Sequence, residues 1–166
     1  KGRHGNKGTR IAETPSGVLN CIGLENPGAE YFVTDILPDL KKYDVPLLAN
    51  MSAGTIEEFA WMAETLSVDG IAGLEVNVSC PNVECEGMAF GVDPKVVEQV
   101  TKAVRKVTNK PVIVKLSPNV TDIVEIAKAV EAGGGDGVSL INTILGMAID
   151  IHRRKPVLGN IYGGLS

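Results

Sequence analysis

The stretch Gly73-Leu74-Glu75-Val76-Asn77-Val78-Ser79-Cys80-Pro81-Asn82 decides the fold of this chain. Its first part is an apolar run that reads as a strand; its second part gathers amides, a hydroxyl and a thiol. Pro81 has no backbone N–H to give a sheet, so it closes the strand and stiffens the turn around it. The Cys80 thiol is thereby placed at the C-terminal end of a strand. In a barrel of alternating strands and helices, catalytic residues collect at that end.

Three further runs rich in β-branched residues cover 45–50, 111–117 and 137–143, beside 73–80 itself. They are nearly continuous in apolar character, as expected of parallel strands buried on both faces. Helical patterns separate them. Thr55-Ile-Glu-Glu58 reads as a capping box opening a helix to about Leu66. Asp93-Pro94 supplies an N-cap with proline at the first helical position, followed by Val96, Val97, Val100, Ala103, Val104 and Val107 on one face. Thr121-Asp122 opens a third helix with Ile123, Ile126, Ala127 and Val130 inward, ended by Gly133-Gly134-Gly135. The order β-α-β-α-β-α-β predicts an α/β chain with parallel strands and right-handed crossovers.

Two parallel architectures compete. A doubly wound dinucleotide fold calls for G-x-G-x-x-G after its first strand, and the sequence has none. A barrel calls for polar residues behind strand after strand, and Asn50-Met51-Ser52, 77–82, Lys115-Leu-Ser-Pro-Asn119 and Asn142-Thr143 supply them. The expectation is therefore a (β/α)8 TIM barrel. A full barrel takes about 250 residues, so these 166 are expected to hold its first half to five-eighths as one partial domain, 1–166, with the upstream start and the later strands missing.

Composition sets the class of ligand. Apolar residues make up 44%, charged residues 22% and aromatics 4%, with a net charge of −4. Few aromatics and a negative balance argue against nucleic acid. Three cysteines cannot all pair, and no C-x-x-C occurs, which suits free thiols in a reducing cytoplasm. No apolar run approaches the roughly 18 residues of a membrane helix.

Lys115 closes an apolar strand, and burying it unpaired would cost several kcal/mol, so it is expected to meet an anion or a polarised acceptor. Asn20, Asn77, Asn82 and Asn142 each donate and accept, which suits a planar ligand edged with C=O and N–H groups. Cys80 is the candidate general base, because a thiol titrates near 8.5 and small shifts bring it into range. Cys85, between two glutamates, is read as a loop residue, and Cys21 as packing. His4 and His152 stand alone, so no metal site is expected. No G-x-S-x-G marks a serine hydrolase.

Together these motifs resemble the dihydroorotate dehydrogenase family, FMN enzymes of pyrimidine biosynthesis. The resemblance runs through Arg3-x-Gly5-Asn6, Glu13-Thr-Pro-Ser-Gly17, Leu19-Asn-Cys-Ile-Gly-Leu24, Asn77-Val-Ser-Cys-Pro-Asn82, Lys115-Leu-Ser-Pro-Asn119, Ile141-Asn-Thr143 and Gly163-Gly-Leu-Ser166. It implies that Cys80 takes the C5 proton of dihydroorotate while hydride leaves C6 for flavin N5. It implies substrate binding by Asn20, Cys21, Ile22, Gly23, Leu24, Asn77, Asn82, Asn142 and Thr143. FMN contacts fall to Asn50, Asn77, Lys115 and Ile141.

A cysteine rather than a serine at position 80 resembles the soluble class. Lys-Leu-Ser-Pro-Asn and Ile-Asn-Thr resemble its NAD-linked form (class 1B), which implies a homodimeric core and a partner subunit carrying FAD and a 2Fe–2S cluster. By the same resemblance the lysine touching both flavin and substrate lies upstream, and the phosphate-binding glycine loops follow Ser166. The 166 residues alone are thus expected to bind FMN weakly and to be inactive. The nearest enzyme alternative is a dihydropyrimidine dehydrogenase-like reduction of uracil or thymine; the non-enzyme alternative is a barrel piece acting only as a binding module.

Overall fold

Antiparallel pairing comes first along the chain. The computed structural model describes residues 2–78 and 90–166, and β1 (Ile11–Thr14) and β2 (Gly17–Asn20) form a hairpin with Thr14 opposite Gly17 and Ile11 opposite Asn20. Pro15 and Ser16 make the connection, and the Thr14 hydroxyl donates to the Gly17 carbonyl at 3.0 Å. Thus Glu13-Thr-Pro-Ser-Gly17 is a turn.

The β/α alternation follows within residues 28–142, one of two compact units. A helical stretch of α1 (Ala29–Tyr31), a π-turn (Phe32–Ile36) and α2 (Leu37–Leu40) leads into β3 (Leu48–Met51). Then come α3 (Ile56–Leu66), β4 (Gly73–Asn77), α4 (Pro94–Val107), β5 (Val112–Lys115), α5 (Ile123–Ala132) and β6 (Gly137–Ser139). All neighbouring pairs are parallel, in the order β3-β4-β5-β6. Each strand lies beside its successor in the chain. A doubly wound sheet reverses its order at a switch point; here the order never reverses, and the fold is the α/β barrel type.

The helices settle the same question. Phe59, Ala63 and Leu66 of α3, Val97, Val100 and Val104 of α4, and Ile126, Ala129 and Val130 of α5 form one cluster with Ala49, Met51, Leu74, Val76, Val112, Val114 and Leu116. Those strand residues are alternate positions, so one face of the sheet packs against all three helices. Three crossovers of one hand leave their helices on one side.

The other face differs from the expectation of strands buried on both sides. It carries Leu48, 56% exposed, and then Asn50, Glu75, Asn77, Ile113, Lys115 and Ser139. In a barrel this face turns to the axis. The strands are also shorter than the apolar runs, because a run marks burial whereas a strand ends where its ladder of hydrogen bonds ends. Pro111, for example, stands outside β5 yet accepts from Leu74 N–H at 2.8 Å.

The helices start at the residues read, with the return bond of the Thr55–Glu58 cap going to Gly54 N–H rather than to Thr55 N–H. Thr55 Oγ1 accepts from Glu58 N–H at 3.1 Å, and Glu58 reaches back to Gly54 N–H at 2.7 Å. Asp93 and Asp122 each accept from the N–H two residues on, both at 2.8 Å. Thr55→Ala should therefore cost about 1 kcal/mol of unfolding free energy. Urea unfolding of parent and variant measures it, and no change would mean that water replaces the cap.

The second unit comprises residues 2–27 and 143–166. It holds a sheet that the sequence reading did not foresee: β7 (Ile144–Gly146) and β10 (Gly163–Leu165) join the hairpin, all antiparallel, in the order β1-β2-β10-β7. A small hairpin, β8 (Ile149–Asp150) with β9 (Lys155–Pro156), lies between them in sequence. Leu19, Cys21 and Leu158 are its buried centre. A Cβ on Gly163 would stand 2.4 Å from the Asn20 carbonyl oxygen, and one on Gly164 would stand 2.0 Å from Thr143 Oγ1. That is the physical content of the glycine pair in Gly163-Gly-Leu-Ser166: β10 is wedged between β2 and β7 where no side chain fits at positions 163 and 164. No helix among the described residues is long and apolar enough to cross a membrane.

Candidate functional site

Each parallel strand delivers a polar side chain to the face away from the helices. Asn50 comes from β3, Glu75 and Asn77 from β4, Lys115 from β5 and Ser139 from β6. The register places Asn50 opposite Glu75, Asn77 opposite Lys115, and Lys115 opposite Ser139. The result is a polar belt across the C-terminal ends of four strands, the end where barrels bind ligands.

Hydrogen bonds tie the belt together. Asn50 Nδ2 donates to Glu75 Oε2. Asn142 Nδ2 donates to Asn77 Oδ1 at 3.0 Å, while its backbone N–H donates to the Leu116 carbonyl at 2.9 Å. That backbone bond seats the segment after β6, Ile141 included, on the end of β5. Asn77 is 7% exposed, so its amide is held by fixed partners rather than by bulk water. Lys115 is half-buried, and among the described residues no carboxylate lies within ion-pair distance of its ammonium. Ser139 Oγ is buried and, among the described residues, finds no partner at ordinary hydrogen-bond distance; it acts on the Glu75 carboxylate at longer reach.

Glu75 is the member that the sequence reading missed. Burial pushes its carboxyl up, but the Ser139 hydroxyl, the Asn50 amide and the Lys115 charge together outweigh burial and hold it below the ordinary glutamate value of 4.5. A carboxyl depressed in the folded state gives stability that is present above that ordinary value. The stability is lost as pH falls through the lower folded value. Glu75→Gln should therefore flatten the acid limb of melting temperature against pH. Thermal melts from neutral pH down through the carboxylate range measure it; parallel acid limbs would show that Glu75 contributes nothing there.

In the other unit, the backbone of residues 20–24 is clamped from beneath. Asn6 Nδ2 donates to the Cys21 carbonyl at 2.9 Å and Asn6 N–H to the Ile22 carbonyl at 2.9 Å. Gly23 has φ +80, and a Cβ there would meet Asn6 Cγ at 2.8 Å. Leu24 has φ +53, with its carbonyl accepting from Asn26 Nδ2 at 2.6 Å. Asn20 Nδ2 donates to the Gly164 carbonyl at 3.4 Å. Cys21 is fully buried, its Sγ 3.6 Å from the Thr9 carbonyl oxygen, in keeping with packing rather than reactivity. Arg3-x-Gly5-Asn6 is thus the buttress of Leu19-Asn-Cys-Ile-Gly-Leu24. Thr143 lies against Gly164 in the same unit.

The structure therefore brings together Asn50, Asn77, Lys115, Ile141 and Asn142 in one unit, and Asn20, Cys21, Ile22, Gly23, Leu24 and Thr143 in the other. Cys80, Asn82 and Cys85 lie outside the described residues.

A parallel sheet with helices on one face and a polar belt at its strand ends defines a protein of the α/β barrel class, with its candidate site at the C-terminal ends of the strands. The chain belongs to the dihydroorotate dehydrogenase family, whose model matches residues 1–166. It is 57% identical over 166 residues to the catalytic subunit of dihydroorotate dehydrogenase B (NAD(+)) from Brachyspira hyodysenteriae, covering 99% of this chain and 54% of that protein. The subunit of the same name from Alkaliphilus metalliredigens is 54% identical over 162 residues, covering 98% of this chain and 54% of that protein. That from Thermoanaerobacter pseudethanolicus is 56% identical over 164 residues, covering 99% and 54%. The chain spans about half the length of the curated relatives it matches.

Proposed function

We propose that the protein containing this chain oxidises dihydroorotate to orotate with FMN, for pyrimidine biosynthesis in the cytoplasm, and passes the electrons to NAD through a partner subunit bearing FAD and a 2Fe–2S cluster. The catalytic core is a homodimer in this reading, and residues 1–166 are part of one FMN-dependent barrel domain. Family membership supports it, as do the relatives' names, each that of a catalytic subunit of an NAD(+) enzyme.

The observation that carries the reading is the belt of Asn50, Asn77, Lys115 and Asn142, with the buried Ser139 hydroxyl beside it. A flavin ring is planar and edged with C=O and N–H groups, and its reduced form carries negative charge that a lysine stabilises. Those are the groups this belt offers, so the residues fit the cofactor. When bound, FMN supplies the acceptor for a hydride equivalent at N5.

The chain's own residues do the rest. Cys80, as thiolate, takes the C5 proton of dihydroorotate while the C6 hydrogen leaves with its bonding pair, and the C5–C6 double bond forms. Asn20, the backbone of residues 21–24, Asn77, Asn82, Asn142 and Thr143 hold the ring's carbonyl and amide edges. Asn50, Asn77, Lys115 and Ile141 hold the flavin.

The test is anaerobic mixing of the complete, FMN-loaded protein with dihydroorotate. Loss of flavin absorbance with stoichiometric orotate is expected. Reoxidation of the reduced flavin by uracil, with no bleaching by dihydroorotate, would transfer the assignment to dihydropyrimidine reduction. A protein that holds no flavin would be a binding module.

A further inference from the structure

The polar belt contains one full negative charge, and the flavin reading gives it no task. Glu75 lies between Leu74 and Val76, the helix-facing positions of its strand, and both of those are completely buried. Alternation puts its carboxylate on the face of Asn50, Lys115 and Ser139. Its amide partner Asn50 and the neighbouring Lys115 charge are residues that the flavin reading also claims.

We propose that Glu75 is a positioning residue of the flavin site, fixing which atom Asn50 offers to the ligand and offsetting part of the Lys115 charge. The proposal rests on the flavin reading above.

The first half of the role follows from donor and acceptor chemistry. An ionised carboxylate only accepts, so the Asn50 amide must turn its NH2 toward Glu75, as it does. Asn50 then meets a ligand with its carbonyl oxygen as acceptor. An amide without such a partner rotates to either orientation and specifies nothing. Glu75 thus converts an ambiguous side chain into one that selects a ligand N–H.

The second half is electrostatic. Lys115 sits on the adjacent strand, two residues beyond Ile113, the residue opposite Glu75, and the two charges interact. A lone lysine beside a flavin would strongly favour the reduced, negatively charged form. With the carboxylate next to it, the net charge of the belt is nearer zero and that preference shrinks. A protein whose electrons must move on to a further acceptor is served by such a check, because an over-stabilised reduced cofactor holds its electrons.

The test uses the complete protein, titrated with oxidised and with reduced FMN, comparing the parent with Glu75→Gln and Glu75→Asp. Glu75→Gln removes the charge and keeps the shape. The ratio of affinities, reduced over oxidised, should rise about tenfold, equivalent to ~30 mV in a two-electron potential. Glu75→Asp keeps the charge, and its ratio should stay within about twofold of the parent. Glu75→Met, beside Leu48 and Ile113, is a second neutral variant should the glutamine protein not fold, with the same tenfold rise expected.

A merely structural residue weakens both forms alike and leaves the ratio unmoved; that result overturns the proposal. An equal rise in Glu75→Asp and Glu75→Gln overturns it too, since charge would not be the cause. A parent protein that binds neither form of FMN overturns the flavin reading and this role with it. A parent that binds FMN normally beside an unmoved ratio overturns the Glu75 role alone.

Discussion

Cys80→Ala is expected to slow the bleaching of bound flavin by dihydroorotate by roughly two to four powers of ten, the range that a positioned general base supplies. FMN binding should change little, because the residues read as holding the flavin are Asn50, Asn77, Lys115 and Ile141. The separation of the two effects matters. A variant that loses bleaching and keeps its flavin has lost a proton acceptor, whereas one that loses both has lost its fold. The pH profile adds a second check. A thiol ordinarily titrates near 8.5, so the parent's bleaching rate should climb with pH as the thiolate forms, and the alanine variant's residual rate should be flat. Stopped-flow absorbance under anaerobic conditions reads all of this. Equal rates in parent and variant would remove Cys80 as the base while leaving the substrate assignment standing.

Much of the parallel half was legible because its signals are local and redundant. Thr55, Asp93 and Asp122 each precede an apolar stripe at helical spacing, and each caps a helix in the structure. The β-branched runs mark the four strands, and the absence of a dinucleotide glycine motif chose the barrel. The antiparallel sheet went unread although a signal was present. Ile11-Ala12-Glu13-Thr14 and Gly17-Val18-Leu19-Asn20 flank Pro15-Ser16, a turn between two short runs. Those runs are weakly apolar, and their ladder is completed by β10, 144 positions beyond Asn20 at Gly164. Pairing over such a distance leaves no periodicity in either segment.

Site residues divide in the same way. Lys115, Asn77 and Asn142 could be named because a polar group that ends an apolar run is conspicuous. Glu75 was hidden inside a run that reads as apolar. The signal lay in its parity: Glu75 and Asn77 share a face, opposite to Leu74 and Val76. A strand read at period two rather than as a block would have shown it. Asn6 was visible as part of a motif, but that it clamps the Cys21 and Ile22 carbonyls depends on backbone contacts that no composition encodes.

Phe59→Ala should be the most damaging single truncation in the parallel unit, at about 3–5 kcal/mol of unfolding free energy. Phe59 is the largest of the fully buried side chains among the described residues, 1% exposed, on the face of α3 that covers the sheet. Its ring meets Phe90 edge to face, with centroids 5.7 Å apart and planes at 77°. Such a pair adds roughly 0.5–1.5 kcal/mol beyond the area it buries. Phe59 sits in the packed cluster of buried side chains between helices and sheet, which closes only partly on truncation, so cavity loss adds to transfer loss. Phe59→Leu refills most of the volume and should recover more than half of the deficit. A cycle with Phe90→Leu then isolates the ring–ring term, because the leucines keep the apolar volume and remove the edge-to-face geometry. Denaturant unfolding of the complete protein measures each variant. A loss below about 1 kcal/mol for Phe59→Ala would mean that α3 does not close this core, and the packing of the helices on one sheet face would have to be redrawn.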